Sequence, residues 1–273
     1  MTKNEIRIGT RGWSYKEWEG PFYRKNEKTK LRAYSQVFQT VEIDSTWYRY
    51  PSKGTVMGWS RYSPSDFVFT AKLPKLITHD KKLGLDGDIQ KDLDAFLELM
   101  QPLQLDGKLA CLLIQLPPSY VYNLAHLESF FQRLQPQYRY AIEFRNLSWM
   151  QEETWPVLEK YSVAYVNVDE PLLPPEVHLT TDFAYFRWHG RGKRPWFNYK
   201  YTKEELEPWV PKVEDASTKV KKVYGYFNNH FHGYAPENAL QLIEQLGLLT
   251  EKQRKTKEKT SEKQIGLTSF FKN

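Results

Sequence analysis

Three pairs of charged residues stand two positions apart inside apolar runs: Glu42 and Asp44, Glu143 and Arg145, Arg187 and His189. In an extended strand, residues i and i+2 share a face, so each pair projects two polar groups to the same side. On a buried face such groups need a counter-charge, a metal or a ligand, because an unpaired buried charge costs on the order of several kcal/mol. The residue types suit general acid and base work, with Glu42, Asp44, Lys72, His79, Glu143, Asp169 and His189 as catalytic candidates. Four of these, Glu42, Glu143, Asp169 and His189, are also ligand types for a divalent cation such as Mg²⁺ or Mn²⁺ that activates water. Arg11, Arg145 and Arg187 suit forked contact with phosphate or carboxylate. Tyr48, Gln115, Asn228 and Asn229 add neutral groups for substrate binding. Lys72 is a candidate for a lowered pKa or a Schiff base, or else for an ion pair to Glu42 or Glu143. A structural salt-bridge layer is the alternative use of the whole set.

These residues need a scaffold that gathers them. Eight β-type runs recur along the chain, at Ile6–Ile8, Thr40–Ile43, Phe67–Ala71, Leu109–Gln115, Tyr140–Phe144, Val163–Val168, Ala184–Trp188 and Val223–Phe227. Stretches of helical periodicity separate most of them: Lys30–Phe38, Val56–Tyr62, Ile89–Met100, Leu124–Leu134, Gln151–Tyr161, Lys203–Val213 and Pro236–Leu246. Apolar strands alternating with helices imply a parallel sheet covered on its outside, and eight such units predict closure into an α/β fold of the (β/α)₈ TIM-barrel type. An open doubly wound sheet is the competing architecture. The segment Glu170–Thr181, with three prolines, reads as loop. In a barrel, loops at the C-terminal ends of the strands build the functional face, and the polar candidates follow the runs: Arg11 after the first, Lys72 and His79 after the third, Asn167 and Asp169 at the sixth, Asn228, Asn229 and His230 after the eighth. Trp13, Trp18, Trp47, Tyr48, Trp188 and Trp196 either stack bases or pack the core.

With 273 residues and 40% apolar content, the chain can bury a large core. The first ten residues lack an apolar signal stretch, and no run approaches the roughly 18 apolar residues of a membrane span; a cytoplasmic location is expected. The single Cys111 excludes a disulfide or cysteine-based metal site within the chain and reads as a small buried apolar residue. No nucleophile elbow, phosphate-binding glycine loop or dinucleotide fingerprint is present. The net charge of +6 is unevenly spread: residues 250–273 contribute +4 and the rest +2.

The segments Ile8-Gly9-Thr10-Arg11-Gly12-Trp13-Ser14-Tyr15, Val41-Glu42-Ile43-Asp44-Ser45-Thr46-Trp47-Tyr48, Gln115-Leu116-Pro117-Pro118, Glu143-Phe144-Arg145, Arg187-Trp188-His189-Gly190-Arg191 and Tyr226-Phe227-Asn228-Asn229-His230 together resemble the YecE-like family of TIM-barrel proteins, domain-of-unknown-function group 72. The resemblance spans about residues 5–247 and implies a barrel; it implies no reaction, since fold alone does not supply function. Trp47 departs from the phenylalanine more common in that family.

The end of the chain is different in kind. Residues 250–263 contain no apolar residue and are expected to be a flexible charged linker after a barrel of residues 1–249. Residues 264–273 then place Gln264, Leu267, Phe270 and Phe271 in the spacing Gln-x-x-Leu-x-x-Phe-Phe, which resembles the peptide that docks replication and repair proteins of archaea and eukaryotes on the DNA sliding clamp (PCNA). Bacterial members of the barrel family generally lack this appendage. The alternative is a tail folded back on its own barrel. The resemblance implies the clamp as partner, DNA nearby, and a clamp-tethered nucleic-acid processing enzyme such as a metal-dependent nuclease in repair or replication, associated with the nucleoid. Two further functions stay open: a hydrolase or lyase of a small phosphorylated or carboxylated molecule, and a non-catalytic clamp-binding accessory protein.

Overall fold

The computed structural model describes residues 5–193 and 195–258. Its eight strands are β1 (Glu5–Thr10), β2 (Thr40–Ile43), β3 (Val68–Lys72), β4 (Leu109–Gln115), β5 (Tyr140–Glu143), β6 (Val163–Asp169), β7 (Phe183–Trp188) and β8 (Lys222–Phe227). All pair in parallel in the order β1-β8-β7-β6-β5-β4-β3-β2, a nearly closed TIM-barrel-like sheet with helices outside. The helices are α1 (Lys30–Ser35), α2 (Ser45–Tyr48), α3 (Lys53–Tyr62), α4 (Gln90–Leu105), α5 (Leu124–Phe131), α6 (Thr154–Lys160), α7 (Lys203–Leu206), α8 (Trp209–Lys219) and α9 (Tyr234–Gln245). They lay apolar stripes on the sheet; α4 buries Leu93, Phe96, Leu97, Met100 and Leu103. The stretch expected as one helix over 203–213 is two, divided before Trp209 at Pro208, which cannot donate to a continuing helix.

Closure happens where β1 meets β2. The two strands share a single bridge, Arg11 with Glu42, where Gly12 N–H donates to Glu42 O at 2.8 Å. Below it the Tyr34 hydroxyl on α1 stands in for the absent ladder: it accepts from Thr10 N–H at 2.9 Å and donates to Thr40 O at 3.1 Å. Gly9 is required at this seam, since a Cβ there would lie 2.3 Å from Thr40 O.

No helix follows β6. Side chains replace it: Asn167 Oδ1 accepts from His178 N–H at 2.8 Å, and the Thr180 hydroxyl accepts from Tyr165 N–H at 2.9 Å while donating to Val163 O at 2.7 Å. The expected loop over 170–181 is therefore strapped along the strand.

Residues 251–258 depart from the expected flexible linker, for they are helical. Thr250 and Gln253 cap each other, with Gln253 N–H donating to Thr250 Oγ1 and Thr250 N–H to Gln253 Oε1. Gln253 is buried and donates to Val37 O at 2.9 Å. Lack of apolar residues predicted disorder; reciprocal capping and one buried amide supply the order instead. The rest of the expected linker and the clamp-like peptide lie outside the described residues. Among the described residues, no helix is long and apolar enough to cross a membrane.

Candidate functional site

Strand pleating divides the residues into those that face the barrel axis and those that face the helices. The axial column starts with apolar and hydroxylic groups: Val68, Phe183 and Tyr224, then Thr40, Thr70, Cys111, Tyr185 and Tyr226. Thr70 and Thr40 pair with the hydroxyls of Tyr185 (3.0 Å) and Tyr226 (2.7 Å). Burial pushes the Cys111 thiol up, so it stays neutral.

Above this plug sits Arg187, 1% exposed, between two carboxylates. It donates to Glu42 Oε1 at 2.7 Å and to Glu143 Oε2, while Tyr185 donates to the second oxygen of Glu42 at 2.6 Å. Burial alone would raise Glu143, but the Arg187 charge, with the His189 hydrogen bond and the Arg145 charge, holds it well below the usual carboxylate range. Its other oxygen accepts from Arg145 Nη1 at 2.8 Å and Gln115 Nε2 at 3.0 Å, with His189 Nε2 at 3.2 Å. The Asn228 amide orients His189: its oxygen accepts from Arg11 Nη1 at 2.8 Å, so its nitrogen donates to His189 Nδ1, also at 2.8 Å. That assigns the remaining proton of a neutral imidazole to Nε2, facing Glu143. Burial pushes His189 down to about 3, so at neutral pH it carries no charge.

The opposite wall is built from β1, β2 and β3. Arg11 pairs with Asp44 Oδ2; burial would raise Asp44, but Arg11 and Lys72 hold it at about 2. Lys72 lies 3.5 Å from Asp44 Oδ1 and 4.4 Å from the centre of the Trp47 ring, a cation–π contact. Burial, aided by the nearby Arg187 and Arg11 charges and opposed by Asp44, brings Lys72 down to about 8. His79 stands on a π-helical turn, Leu76–Asp80, with Nδ1 2.9 Å from Thr78 Oγ1 and its ring against the edge of Trp47. Burial and Lys72 lower it to about 4.

These walls enclose a cavity of about 740 Å³ at the C-terminal ends of the strands. Its floor is charged and polar, from Arg11, Asp44, Lys72, Arg145, Arg187, His189 and Asn228, with cations in the majority; its rim is aromatic, from Tyr15, Trp47, Tyr48, Trp196 and Phe197. His230 stacks between Tyr15 (4.5 Å) and Phe197 (5.4 Å). The loop that carries Trp196 and Phe197 folds back at Gly190, whose φ of +94° and position 2.5 Å from Trp196 O, measured from an added Cβ, admit only glycine.

Most of the expected site residues converge here, and some do not. Asp169 faces outward, where Arg191 grips it at 2.9 and 3.0 Å and Trp209 Nε1 donates at 3.1 Å. Asn229 also faces outward, donating to Tyr199 O and Asn238 Oδ1 at 2.8 Å each. The proposed metal set of Glu42, Glu143, Asp169 and His189 is not assembled: Arg187 separates the two glutamates and Asp169 is on the other face. Among the described residues, no three His, Cys, Asp or Glu are placed to hold a metal ion. Lys72 is paired with Asp44 rather than Glu42 or Glu143. Trp18 and Trp188 are core and Trp13 packs on Trp59, whereas Trp47, Tyr48 and Trp196 line the cavity. Tyr15 and Phe197, which line the cavity, and Glu170, which meets Arg145, stand beyond the residues expected from the sequence. Glu170 was legible by parity: it follows Val166 and Val168 on the axial face of β6. It lies 3.0 Å from Arg145 Nη2, off the line of the N–H bonds, so neither oxygen accepts a hydrogen bond among the described residues. Burial outweighs Arg145 and raises Glu170 to about 7.

A family model described as a protein of unknown function, DUF72, matches residues 7–264. The chain is 28% identical to the UPF0759 protein YunF of Bacillus subtilis over 270 residues, covering 89% of this chain and 95% of that one. It is 29% identical to the UPF0759 protein YecE of Escherichia coli over 142 residues, 52% of this chain and 48% of that one. The crystal structure of a DUF72 family protein from Thermotoga maritima superposes with a TM-score of 0.82 at 34% identity, covering 89% of this chain and 99% of that one. A DUF72 family protein from Enterococcus faecalis superposes with a TM-score of 0.80 at 26% identity, covering 90% and 97%.

Proposed function

The chain belongs to the DUF72 family, and on that premise we propose that its barrel mouth binds a small phosphorylated or carboxylated molecule and transforms it as a hydrolase or lyase. The observation that carries this reading is the composition of the cavity floor, where Arg11, Lys72, Arg145 and Arg187 meet. Buried carboxylates meet each of them: Asp44 meets Arg11 and Lys72, Glu143 and Glu170 meet Arg145, and Glu42 and Glu143 meet Arg187. Arg187 is committed to Glu42 and Glu143 and acts as the frame. Although Arg145 is ion-paired to both Glu143 and Glu170, and Arg11 to Asp44, each guanidinium has five N–H groups and keeps some that make no hydrogen bond among the described residues, and both side chains are 14% exposed. A phosphate or carboxylate entering this space would complete two guanidinium forks in a partly desolvated site, where such bonds are stronger than in water. Lys72, whose end lines the cavity, supplies a group that exchanges a proton near neutral pH.

Thermal unfolding against a panel of phosphorylated sugars, di- and tricarboxylates and their neutral counterparts tests the reading. Anions at about 100 times their Kd should stabilise the fold by about 2.7 kcal/mol, the shift should shrink in salt, and Arg145→Gln should remove most of it. Equal stabilisation by neutral compounds, or none by any anion, sinks it.

A second reading rests on the spacing Gln264-x-x-Leu267-x-x-Phe270-Phe271. In it the tail docks on the DNA sliding clamp and the chain works beside DNA, as a processing enzyme or an accessory protein. Calorimetry of the full chain with the clamp should give binding that Phe270→Ala with Phe271→Ala abolishes; unchanged affinity defeats it.

A further inference from the structure

We propose that Lys72 is a nucleophilic amine that forms an imine with the carbonyl carbon of a small anionic aldehyde or ketone held in the barrel mouth. The inference rests on the anion-site reading above and names its substrate class.

Lys72 closes β3 on the axial face, and its backbone is fixed from both sides: its carbonyl accepts from Thr46 Oγ1 at 2.7 Å, and the next residue, Leu73, donates to Leu113 O at 2.8 Å. The side chain is 6% exposed and its end lines the cavity. An ammonium has three donors and in a buried position should fill them. The described structure gives Nζ one hydrogen-bond partner, Asp44 at the 3.5 Å limit, and the face of Trp47. Asp44 cannot do more, because its other oxygen is held by Arg11. By contrast Lys108, also buried, satisfies its amine with Ser60 O at 2.6 Å, Ser63 O at 2.9 Å and Ser63 Oγ at 3.1 Å. A structural lysine in this protein looks like Lys108. Lys72 instead keeps its amine facing an open, cation-rich cavity where the neutral form is favoured, the condition under which a lysine attacks carbonyl carbon. Its descent to about 8 agrees.

The step balances without a further reagent. The neutral amine nitrogen bonds to the carbonyl carbon as the C=O π pair moves to oxygen. The carbinolamine then expels that oxygen as water, which carries away both amine protons and leaves N=C. Protonated, this imine draws electrons from a neighbouring C–C or C–H bond, which is the chemistry a lyase needs. Arg11 and Arg145 flank the same space and would hold the phosphate or carboxylate of the substrate.

Pyridoxal 5′-phosphate, a planar phosphorylated aldehyde, serves as the probe on the full chain. Incubation followed by sodium borohydride, which delivers hydride to the imine carbon, fixes any adduct for peptide mass spectrometry. The expected result is one pyridoxyl group per chain on Lys72, its rate rising with pH through about 8, suppressed by inorganic phosphate and absent in Lys72→Gln. Thermal stabilisation by the same compound is read in parallel. Stabilisation that phosphate competes away, with Lys72 unlabelled, overturns the nucleophile while leaving the anion site intact. Neither stabilisation nor labelling of Lys72, with label only on surface lysines such as Lys75 and Lys219, overturns both.

Discussion

Glu170 is a buried carboxyl group 3.0 Å from a guanidinium, yet it accepts no hydrogen bond among the described residues. Its rise from 4.5 to about 7 fixes a direction for pH dependence. The folded chain binds this proton more tightly than the unfolded one, so the stability it contributes is whole below about pH 4.5 and is lost as pH rises to about 7. Glu170→Gln mimics the protonated form. The variant should match the parent in urea unfolding at pH 4.5 and exceed it at pH 8 by on the order of 2–3 kcal/mol; equal stability at both pH values would show the carboxyl to be well solvated. His189 works in the opposite sense, since a histidine held at about 3 costs stability as pH falls below its ordinary 6.5. Comparing variant with parent at each pH cancels that contribution. The neutral His189, which accepts from Asn228 and turns its Nε2–H toward Glu143, is better read as a strut for Glu143 than as the acid of the reaction.

At the scale of elements, the weak place is the seam between β1 and β2. Seven strand pairs are joined by ladders, and the eighth relies on one bridge and a phenol. Tyr34→Phe keeps the ring, which is packed by Trp18, Phe38 and Phe67, and deletes only the hydroxyl. Thr10 N–H and Thr40 C=O are then buried without it, at a cost of about 1–3 kcal/mol. The expected signature in hydrogen exchange is faster opening at Thr10 than in the strands opposite; uniform protection would mean the seam closes without the phenol. The seam also bears on the site, because Arg11 and Asp44 leave β1 and β2 just above it. Loosening it should weaken anion-induced stabilisation as well as the fold.

Across the whole molecule, the mouth and the chain's exit lie at opposite ends of the barrel. The cavity opens at the C-terminal ends of the strands, whereas Thr250 and Gln253 pack near Ile6, Val37 and Asp66 at the other end. Truncation after Leu249 should therefore leave ligand-induced stabilisation at the mouth unchanged and lower unfolding stability by only about 1 kcal/mol, for the lost bond from Gln253 to Val37; loss of ligand response would couple the tail to the mouth. The sequence alone pointed to the barrel, because strand periodicity is local and recurs eight times with helical stretches between most strands; observed strands begin and end within about two residues of the expected ones. It also determined that the members of each pair, Glu42 with Asp44, Glu143 with Arg145 and Arg187 with His189, share a face, since alternation along a strand fixes the face once one partner is known. It failed where a strand's last residue sets the parity. Asp169 and Asn229 sit one step out of phase with Glu170 and Asn228, a distinction that depends on which residue of the strand meets the axis. Only the tertiary structure decided that Arg187 stands between two glutamates rather than a metal, and that Lys72 is left with one long contact. Charge pairing in a closed barrel depends on distances across the axis, between residues up to 145 positions apart, and no local pattern encodes those distances.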